Sequence, residues 1–244
     1  MDLFNYRDRH GQHYRVVRAG QTVRLYSDGV FHTQYHPNRE FDGSVWDLLW
    51  LPTTLLADQQ VRRILVLGVG GGAVVRKLRQ RYPRALIIGV DINPVHLQIA
   101  RQFFAAGGPN TLLLEADAIA FMKVYRGPGF DVIVDDLFAA SEGEPTRVVD
   151  MSSQWARALC RALTRRGLLV VNFAANAELK TAWRSLGEGA VGFAQALEWR
   201  HRRYENCIGA FYRQPLTPGW KPLAEAVLPA SRRRDYCIAE LCGL

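Results

Sequence analysis

The chain has 244 residues, of which 48% are hydrophobic and 22% are charged, so it is long enough to bury one sizeable core. It contains no apolar run near the roughly 18 residues that a membrane-crossing helix needs. The N-terminal residues are charged where an export signal is apolar, which argues against export. The four cysteines form no CxxC pair and lack metal-ligand spacing, which predicts reduced thiols in a cytoplasmic protein without a metal site.

The formal net charge of +8 comes almost wholly from arginine, with 27 arginines against 4 lysines. The arginines gather in three clusters: Arg79, Arg81 and Arg84; Arg200, Arg202 and Arg203; and Arg232, Arg233 and Arg234. Such clusters can attract nucleic acid or another acidic partner. No aromatic-interleaved RNA motif accompanies them, and solvated helix faces also collect arginine, so nucleic acid is the less favoured partner.

The first 44 residues predict a small antiparallel β cap. Residues 13–36 contain three short runs that are typical of strands, and Asp28-Gly29 between two of them is a hairpin signal. Residues 45–57 then predict one helix that leads into a main domain spanning residues 45–244.

From Arg63 onward the pattern alternates between buried strands and helices. The strands are predicted at residues 64–67, 85–90, 111–115, 130–134 and 168–173. Asn93 and Pro94 begin one helix, on whose surface His96 is expected, and Ser153 begins another that Gly167 ends. This order predicts a doubly wound, mostly parallel sheet with a Rossmann-like topology, whose ligands bind at the carboxyl ends of the strands.

The last part of the chain predicts an antiparallel addition to that sheet. Residues 196–201 and 207–212 read as strands, and the link between them is too short for a parallel crossover. The total is a seven-stranded sheet with an antiparallel C-terminal hairpin. Residues 137–149, which contain glycine, proline and several charges, predict a mobile loop over the ligand site.

Glycines follow the first strand of this sheet, where the chain turns into a helix. Gly68, Gly70 and Gly72 permit a sharp turn and let a ligand approach the backbone closely. Asp91 ends the next strand, where a carboxylate can accept hydrogen bonds from both hydroxyls of a ribose. Asp117 ends the third strand, where a carboxylate can accept a hydrogen bond from the amino group of an adenine. This set favours S-adenosylmethionine or a relative over NAD.

Two adjacent acids, Asp135 and Asp136, end the fourth strand. Because neighbouring side chains on a strand point to opposite faces, the two acids cannot share one role. One of them is expected to face the reacting end of the cofactor, where an acid can orient or deprotonate an attacking amine. Periodicity alone leaves open which acid that is.

Together these motifs resemble the spermidine synthase family, within the class I S-adenosylmethionine-dependent transferases, over nearly the whole chain. The resemblance rests on residues 27–32 (SDGVFH), the glycine loop, and residues 90–93 (VDIN), 116–118 (ADA), 130–136 (FDVIVDD) and 209–212 (GAFY). In that family the catalytic aspartate is the sixth residue of the strand-four motif, which implies this role for Asp136 and makes Asp135 an additional acid. The implied cofactor-binding residues are Gly68, Val69, Gly70, Gly72, Asp91, Ile92, Asp117 and Ala118.

The departures from the family pattern concern substrate recognition. The polyamine synthases of the family carry a second aspartate at the position of Ala139 and an aspartate in the glycine loop at the position of Gly71. A glutamine of their β cap is His32 here, and a Tyr and a Glu of their linking helix are Val45 and Asp47. Among these positions only Asp47 retains an acid. Each ammonium of a diamine needs an acceptor or an anion, so these losses weaken its recognition.

The leading hypothesis is therefore an S-adenosylmethionine-dependent methyltransferase that acts on a small-molecule or protein amine. One alternative is a polyamine aminopropyltransferase that uses decarboxylated S-adenosylmethionine, with Asp135, Glu142 and Glu144 supplying the missing acids. The other is a catalytically inactive protein that binds an adenosyl ligand. The resemblance also implies a homodimer to which the β cap contributes.

Overall fold

A computed structural model describes residues 1–141, 144–188 and 192–241. Within these residues a four-stranded antiparallel sheet precedes an eight-stranded, mostly parallel sheet, and a two-stranded hairpin lies between two strands of the second sheet in sequence. No helix in the described ranges is long and apolar enough to cross a membrane.

The β cap has four strands, in the order β1-β2-β3-β4: β1 (Asp2–Arg7), β2 (His13–Ala19), β3 (Thr22–Ser27) and β4 (Val30–Tyr35). The sequence predicted three strands and missed β1. Its side chains are largely exposed: Leu3 and Phe4 pack on the cap's buried cluster, and the exposed Tyr6 stacks on Tyr14 of that cluster. A strand with so little buried surface lacks the alternation by which strands are recognised.

The α-helix that links the cap to the main sheet is shorter than the single helix predicted over residues 45–57. Helix α1 (Val45–Trp50) continues directly into a 3₁₀ helix, Leu51–Leu55, which contains Pro52. The Asp47 side chain accepts the backbone N–H groups of Gly43, at 2.7 Å, and Ser44, at 3.4 Å, and so pairs donors at the start of α1.

The main sheet follows the predicted alternation of strands and helices. Its elements, with the hairpin β9–β10, are β5 (Arg63–Leu67), α2 (Ala73–Arg81), β6 (Leu86–Asp91), α3 (Pro94–Phe103), β7 (Thr111–Glu115), α4 (Ala118–Val124), β8 (Phe130–Asp135), β9 (Phe138–Ser141), β10 (Glu144–Arg147), α5 (Ser153–Ala162), β11 (Leu163–Phe173), α6 (Asn176–Glu188), β12 (Gln195–His201), β13 (Cys207–Tyr212), α7 (Trp220–Val227) and β14 (Tyr236–Glu240). The strand order is β14-β12-β13-β11-β8-β5-β6-β7. Strands β11, β8, β5, β6 and β7 are parallel, and β13, β12 and β14 are antiparallel additions. The α/β class and the antiparallel hairpin are thus confirmed.

Three details of the prediction are wrong. In the described part of the chain the sheet has eight strands rather than seven, because β14 pairs with β12 as an additional edge. Helix α5 ends at Ala162 rather than at Gly167, which lies inside β11 and packs closely against Leu163. The predicted loop over residues 137–149 contains the paired strands β9 and β10, although residues 142 and 143 lie outside the described chain.

The strands of the main sheet divide their side chains between two hydrophobic clusters. Ile64 and Val66 of β5 belong to one cluster with α1 and α2, whereas Leu65 and Leu67 belong to the other with α5. Strict alternation between two buried faces is what a sheet covered on both sides requires. The carboxyl ends of the parallel strands therefore meet at one edge of a rigid layer.

A buried cation fastens the cap's linker to the main domain. Lys77 of α2 is almost fully buried and donates to the carbonyl oxygens of Arg39, at 3.2 Å, and Glu40. Its Nζ lies 3.6 Å from Asp42 and 3.9 Å from Asp47. Burial raises the pKa of Asp47 to about 6, and the ammonium opposes that rise. Lys77 is thus the counterion of two buried acids.

We expect Lys77→Met to lower the free energy of unfolding by about 3–5 kcal/mol, because it leaves two buried carboxyls without their cation. Urea denaturation followed by circular dichroism measures the change. Lys123→Met removes an exposed lysine from the last turn of α4 and should cost less than about 0.5 kcal/mol. Equal destabilisation by the two substitutions contradicts the role assigned to Lys77.

Candidate functional site

The glycine loop after β5 approaches the end of β8 at one residue and leaves open space at another. Gly68 has a φ of +84°, and a Cβ there would lie 2.2 Å from the carbonyl oxygen of Asp136, so no side chain fits. Gly70 also has a positive φ, of +51°, but a Cβ there would meet nothing within 4 Å. The loop therefore presents backbone with free space above it, beside Asp136, the residue that follows β8.

Asp91, at the end of β6, braces this loop. Its Oδ2 accepts the N–H groups of Val69, at 2.9 Å, and Gly70, at 2.8 Å, while its Oδ1 accepts that of Asn93. Burial raises the pKa of Asp91, and these donors oppose the rise. Its neighbour Ile92 is 70% exposed, so an apolar side chain stands uncovered next to the acid.

Asp117 follows β7, the neighbour of β6, and is the N-cap of α4. Its exposed carboxylate accepts the N–H of Ala120 at 2.8 Å, whereas the adjacent Ala118 is buried. The register of β6 and β7 pairs Asp91 with Glu115, so Asp117 lies just beyond the same sheet edge. Both predicted cofactor acids are thus on adjacent strand ends.

These residues fit an adenosyl group. The open backbone at Gly70, the uncovered Ile92 and the acids Asp91 and Asp117 supply close approach, an apolar surface and hydrogen-bond acceptors for a ribose and an amino group. The individual contacts to a cofactor stay predictions. No cluster of three or more potential metal ligands occurs in the described chain.

Asp135 points away from this edge. Its side chain is fully buried, and its Oδ2 accepts from Arg147 at 3.1 Å and from the indole N–H of Trp155 at 2.8 Å. Arg147 also donates to the carbonyl oxygen of Val149. With its carboxylate committed to these donors, Asp135 anchors the β9–β10 hairpin to β8, and the catalytic role predicted for it finds no geometric support.

Asp136 lies on the opposite face and is only partly buried. Its Oδ1 accepts from the amide of Asn172 at 2.8 Å, and the oxygen of that amide accepts from Asn206 at 3.1 Å. No described residue donates to its Oδ2. Burial raises the pKa of Asp136 to about 6, and the neighbouring Asp135 adds to the rise. Asp136 is therefore a carboxyl that is held at one oxygen and free at the other, and it titrates near neutral pH.

Two histidines lie beside Asp91: His32 of the cap and His96 of α3. His96 is buried, contrary to the prediction that it lies on a helix surface, and its Nε2 is 3.0 Å from the hydroxyl of Ser27. The ring of His32 lies 5.0 Å from that of His96 between centroids. Burial lowers the pKa of each histidine to about 4, so both are neutral at neutral pH.

Position 71, where the family pattern has an aspartate, is closed by the cap. A Cβ on Gly71 would lie 1.9 Å from Cγ2 of Thr33 in β4. Asp47 faces Lys77 and the start of α1 rather than a ligand site. Glu142 lies outside the described residues, and so does the side chain of Glu144, so the acids proposed to replace the lost carboxylates are not located.

Comparisons with known proteins agree with this fold. A family model described as a methyltransferase domain matches residues 64–161. A polyamine aminopropyltransferase of Chromobacterium violaceum is 30% identical over 123 residues, which cover 49% of this chain and 45% of that protein. A probable spermidine synthase of Corynebacterium glutamicum superposes with a TM-score of 0.72 at 18% identity, covering 88% of this chain and 81% of that one. The chain has the class I methyltransferase fold and is similar to spermidine synthases in sequence and structure.

The structural similarity extends to methyltransferases. Human methyltransferase-like protein 13, solved in complex with SAH, has a TM-score of 0.63 at 20% identity over 78% of this chain and 91% of that one. The chain spans about half the length of the curated relatives that it matches. These relatives are named polyamine aminopropyltransferases, whereas the family model is described as a methyltransferase domain.

We expect Asp136→Asn to stabilise the protein above pH about 6. A carboxyl whose pKa is raised in the folded state penalises folding once it must ionise, and this penalty disappears as the pH falls below the unfolded value of about 4. The advantage of the variant over the wild type should grow by about 1 kcal/mol between about pH 5 and pH 8. Urea unfolding at both pH values measures it.

Asp117→Asn is the matched control, because it converts an exposed N-cap carboxylate to an amide that also caps helices. Comparing the two variants at each pH separates the effect of the Asp136 environment from that of replacing a carboxylate by an amide. If the gap for Asp136→Asn is independent of pH, the carboxyl of Asp136 is not held in the environment described.

Proposed function

We propose that this chain is an S-adenosylmethionine-dependent methyltransferase whose acceptor is an amine, on a small molecule or on a protein. The contact between Thr33 and Gly71 is the observation that carries the proposal. An acid at position 71 would attract the amino end of decarboxylated S-adenosylmethionine and repel the carboxylate of the intact cofactor. Thr33 fills the space that such an acid needs, so the glycine loop is built without that repulsion.

Asp136 is the residue that we propose orients the acceptor amine and takes up its proton. Because Asn172 holds its Oδ1, the free Oδ2 can accept a hydrogen bond from an amine and orient its lone pair. The raised pKa makes Asp136 a stronger base than an ordinary aspartate, which helps it to take up a proton from the incoming ammonium. When bound, S-adenosylmethionine supplies an electrophilic methyl group, and little further acid–base work is needed.

Aminopropyl transfer is the second candidate, and the names of the relatives favour it. It needs acids that hold a polyamine. Asp135 is committed to Arg147 and Trp155, and Asp47 to Lys77, while position 139 is an alanine on β9. These contacts favour methyl transfer. A protein that binds an adenosyl ligand without turnover is the remaining alternative, and any labelled product from labelled cofactor excludes it.

Isothermal titration calorimetry with the two cofactors separates the two transferases. We expect the wild type to bind intact S-adenosylmethionine more tightly than the decarboxylated form. Thr33→Ala/Gly71→Asp restores the family's acid, since removing Cγ2 of Thr33 leaves Cδ2 of Leu25 and the Cβ of residue 33 as the near neighbours, each at 3.3 Å. This double variant should reverse the preference and change the ratio of the two affinities by about tenfold or more, the usual effect of one charged hydrogen bond.

Two controls isolate the charge. Thr33→Ala alone should leave the preference unchanged, and Thr33→Ala/Gly71→Asn has the same shape as the aspartate variant without its charge. A wild type that binds only the decarboxylated cofactor overturns the methyltransferase proposal and favours aminopropyl transfer.

The role of Asp136 predicts how activity depends on pH. The kcat/KM for an amine acceptor should rise with pH through a pKa of about 6, because only the ionised carboxyl can accept a proton. Asp136→Asn should lower kcat by about a hundredfold or more and abolish this rising limb. A limb that persists unchanged in the variant assigns the titration to another group.

A further inference from the structure

Two neighbouring segments place five arginines on one surface, which we call the arginine surface: Arg202, Arg203, Arg232, Arg233 and Arg234. The first two lie in the turn between β12 and β13, and the other three lie in a 3₁₀ helix, Ala230–Asp235, that leads into β14. Because β12 pairs with β14, with His201 opposite Tyr236, the turn and the 3₁₀ helix are side by side. The backbone N–H of Arg202 also donates to the carbonyl oxygen of Asp235 at 2.9 Å.

A buried histidine shows that these charges are close in space. His201 is 2% exposed, and its ring packs against Tyr204 and Tyr236. Burial lowers the pKa of His201, and the guanidinium groups of Arg203, Arg202 and Arg232 lower it further against the opposing effect of Asp235. Arginines of both segments therefore oppose protonation of one imidazole, in agreement with the backbone hydrogen bond that joins the segments.

Most of this positive charge is not compensated. Arg202 pairs with Asp235 at 2.9 Å. The side chains of Arg203, Arg232, Arg233 and Arg234 make no ion pair or hydrogen bond with any described part of the chain, and all but Arg232 are exposed. A protein surface that concentrates unpaired guanidinium groups attracts anions, because their N–H groups can still donate hydrogen bonds to carboxylates or phosphates.

The arginine surface adjoins the candidate site. Asn206, three residues after Arg203, is linked through Asn172 to the carboxylate of Asp136 by two hydrogen bonds, of 3.1 and 2.8 Å. The hydroxyl of Tyr204 donates to the carbonyl oxygen of Gly43, and Arg232 lies against the same glycine. A segment that reaches Asp136 therefore passes within a few residues of these cations, since an extended chain spans about 3.3 Å per residue.

We propose that the arginine surface docks an acidic protein segment that carries the acceptor amine to Asp136. This inference rests on the proposed function and narrows its acceptor from amines in general to an amine on a carboxylate-rich polypeptide. Guanidinium forks match carboxylates in two-point contacts. Single-stranded nucleic acid would also need exposed aromatic rings for base stacking, but Tyr204 and Tyr236 are packed on His201, and no described aromatic of this surface is highly exposed.

Fluorescence anisotropy tests the docking step without requiring turnover. The probes are a short labelled peptide with one central lysine flanked by glutamates and the same peptide with glutamines. The wild type should bind the glutamate peptide at least about tenfold more tightly and lose this preference as the salt concentration rises. Arg203→Glu/Arg234→Glu should weaken binding of the glutamate peptide by about tenfold or more.

Arg161→Glu/Arg165→Glu is the matched control, because it makes the same charge change at two exposed arginines. They lie at the N-terminal end of β11, whereas Asn172, which contacts Asp136, lies at its C-terminal end. This control should bind the glutamate peptide within about twofold of the wild type. Calorimetry with S-adenosylmethionine should give the same affinity for both double variants, which shows that the fold and the cofactor side are intact.

The outcomes are distinguishable. Equal binding of the two peptides, or an equal loss in the control, overturns the arginine surface as a docking site. So does tight binding of a single-stranded oligonucleotide that Arg203→Glu/Arg234→Glu abolishes while both peptides bind weakly, because the partner is then a nucleic acid. Failure of the wild type to bind S-adenosylmethionine, with the peptide preference intact, overturns the proposed function but not the docking.

Discussion

The candidate site depends on a contact between two backbones. The N–H of Asp136 donates to the carbonyl oxygen of Leu67 at 2.8 Å, and the next residue, Gly68, leaves no room for a side chain between them. The N–H of Gly68 donates in turn to Val90 of β6. Three strand ends are thus tied together at a single glycine. Any side chain there must push the acid of β8 away from the loop that it faces.

The adjacent acids of β8 illustrate how one strand separates support from chemistry. Asp135 is buried with a cation and an indole N–H, and these partners offset the cost of its desolvation. Asp136 has an amide at one oxygen, an acidic neighbour and partial burial, so its ionised form is held at a cost. A group in such a state is poised to accept a proton, and the well-paired neighbour keeps its strand in place.

The sequence was sufficient for the elements whose stability comes from local pattern. The parallel strands are apolar runs bounded by turn residues, so β5, β6, β7, β8 and β11 were located, as was the β12–β13 hairpin. Strand β14 was missed because only Ile238 among its five residues is buried, which leaves no period to detect. Asp135 and Asp136 were known to face opposite sides, but which one faces the site followed only from the family resemblance.

What could not be predicted depends on contacts between distant parts of the chain. The sequence predicts His96 on a helix surface, yet Ser27 of the cap, 69 residues earlier, contacts it and it is buried. Lys77 and its acids, and Thr33 and Gly71, are joined in the same way across the cap and the main sheet. Docking of the cap thus determines which positions of the main domain are exposed, and no periodicity within either part contains that information.

The coupling of Thr33 to Gly71 has a consequence for how this scaffold can change its donor. An aspartate at position 71 alone would collide with Cγ2 of Thr33, and the cap would have to move, so the family's acid requires a smaller residue at position 33 as well. The donor side of the site is otherwise close to the family pattern, since Asp91 and Asp117 stand at adjacent strand ends. The departures from that pattern lie at His32 and Gly71, where the cap meets the glycine loop, and at Ala139 on β9. A change of donor on this scaffold therefore involves the cap and the loop together, because Thr33 and position 71 occupy the same space.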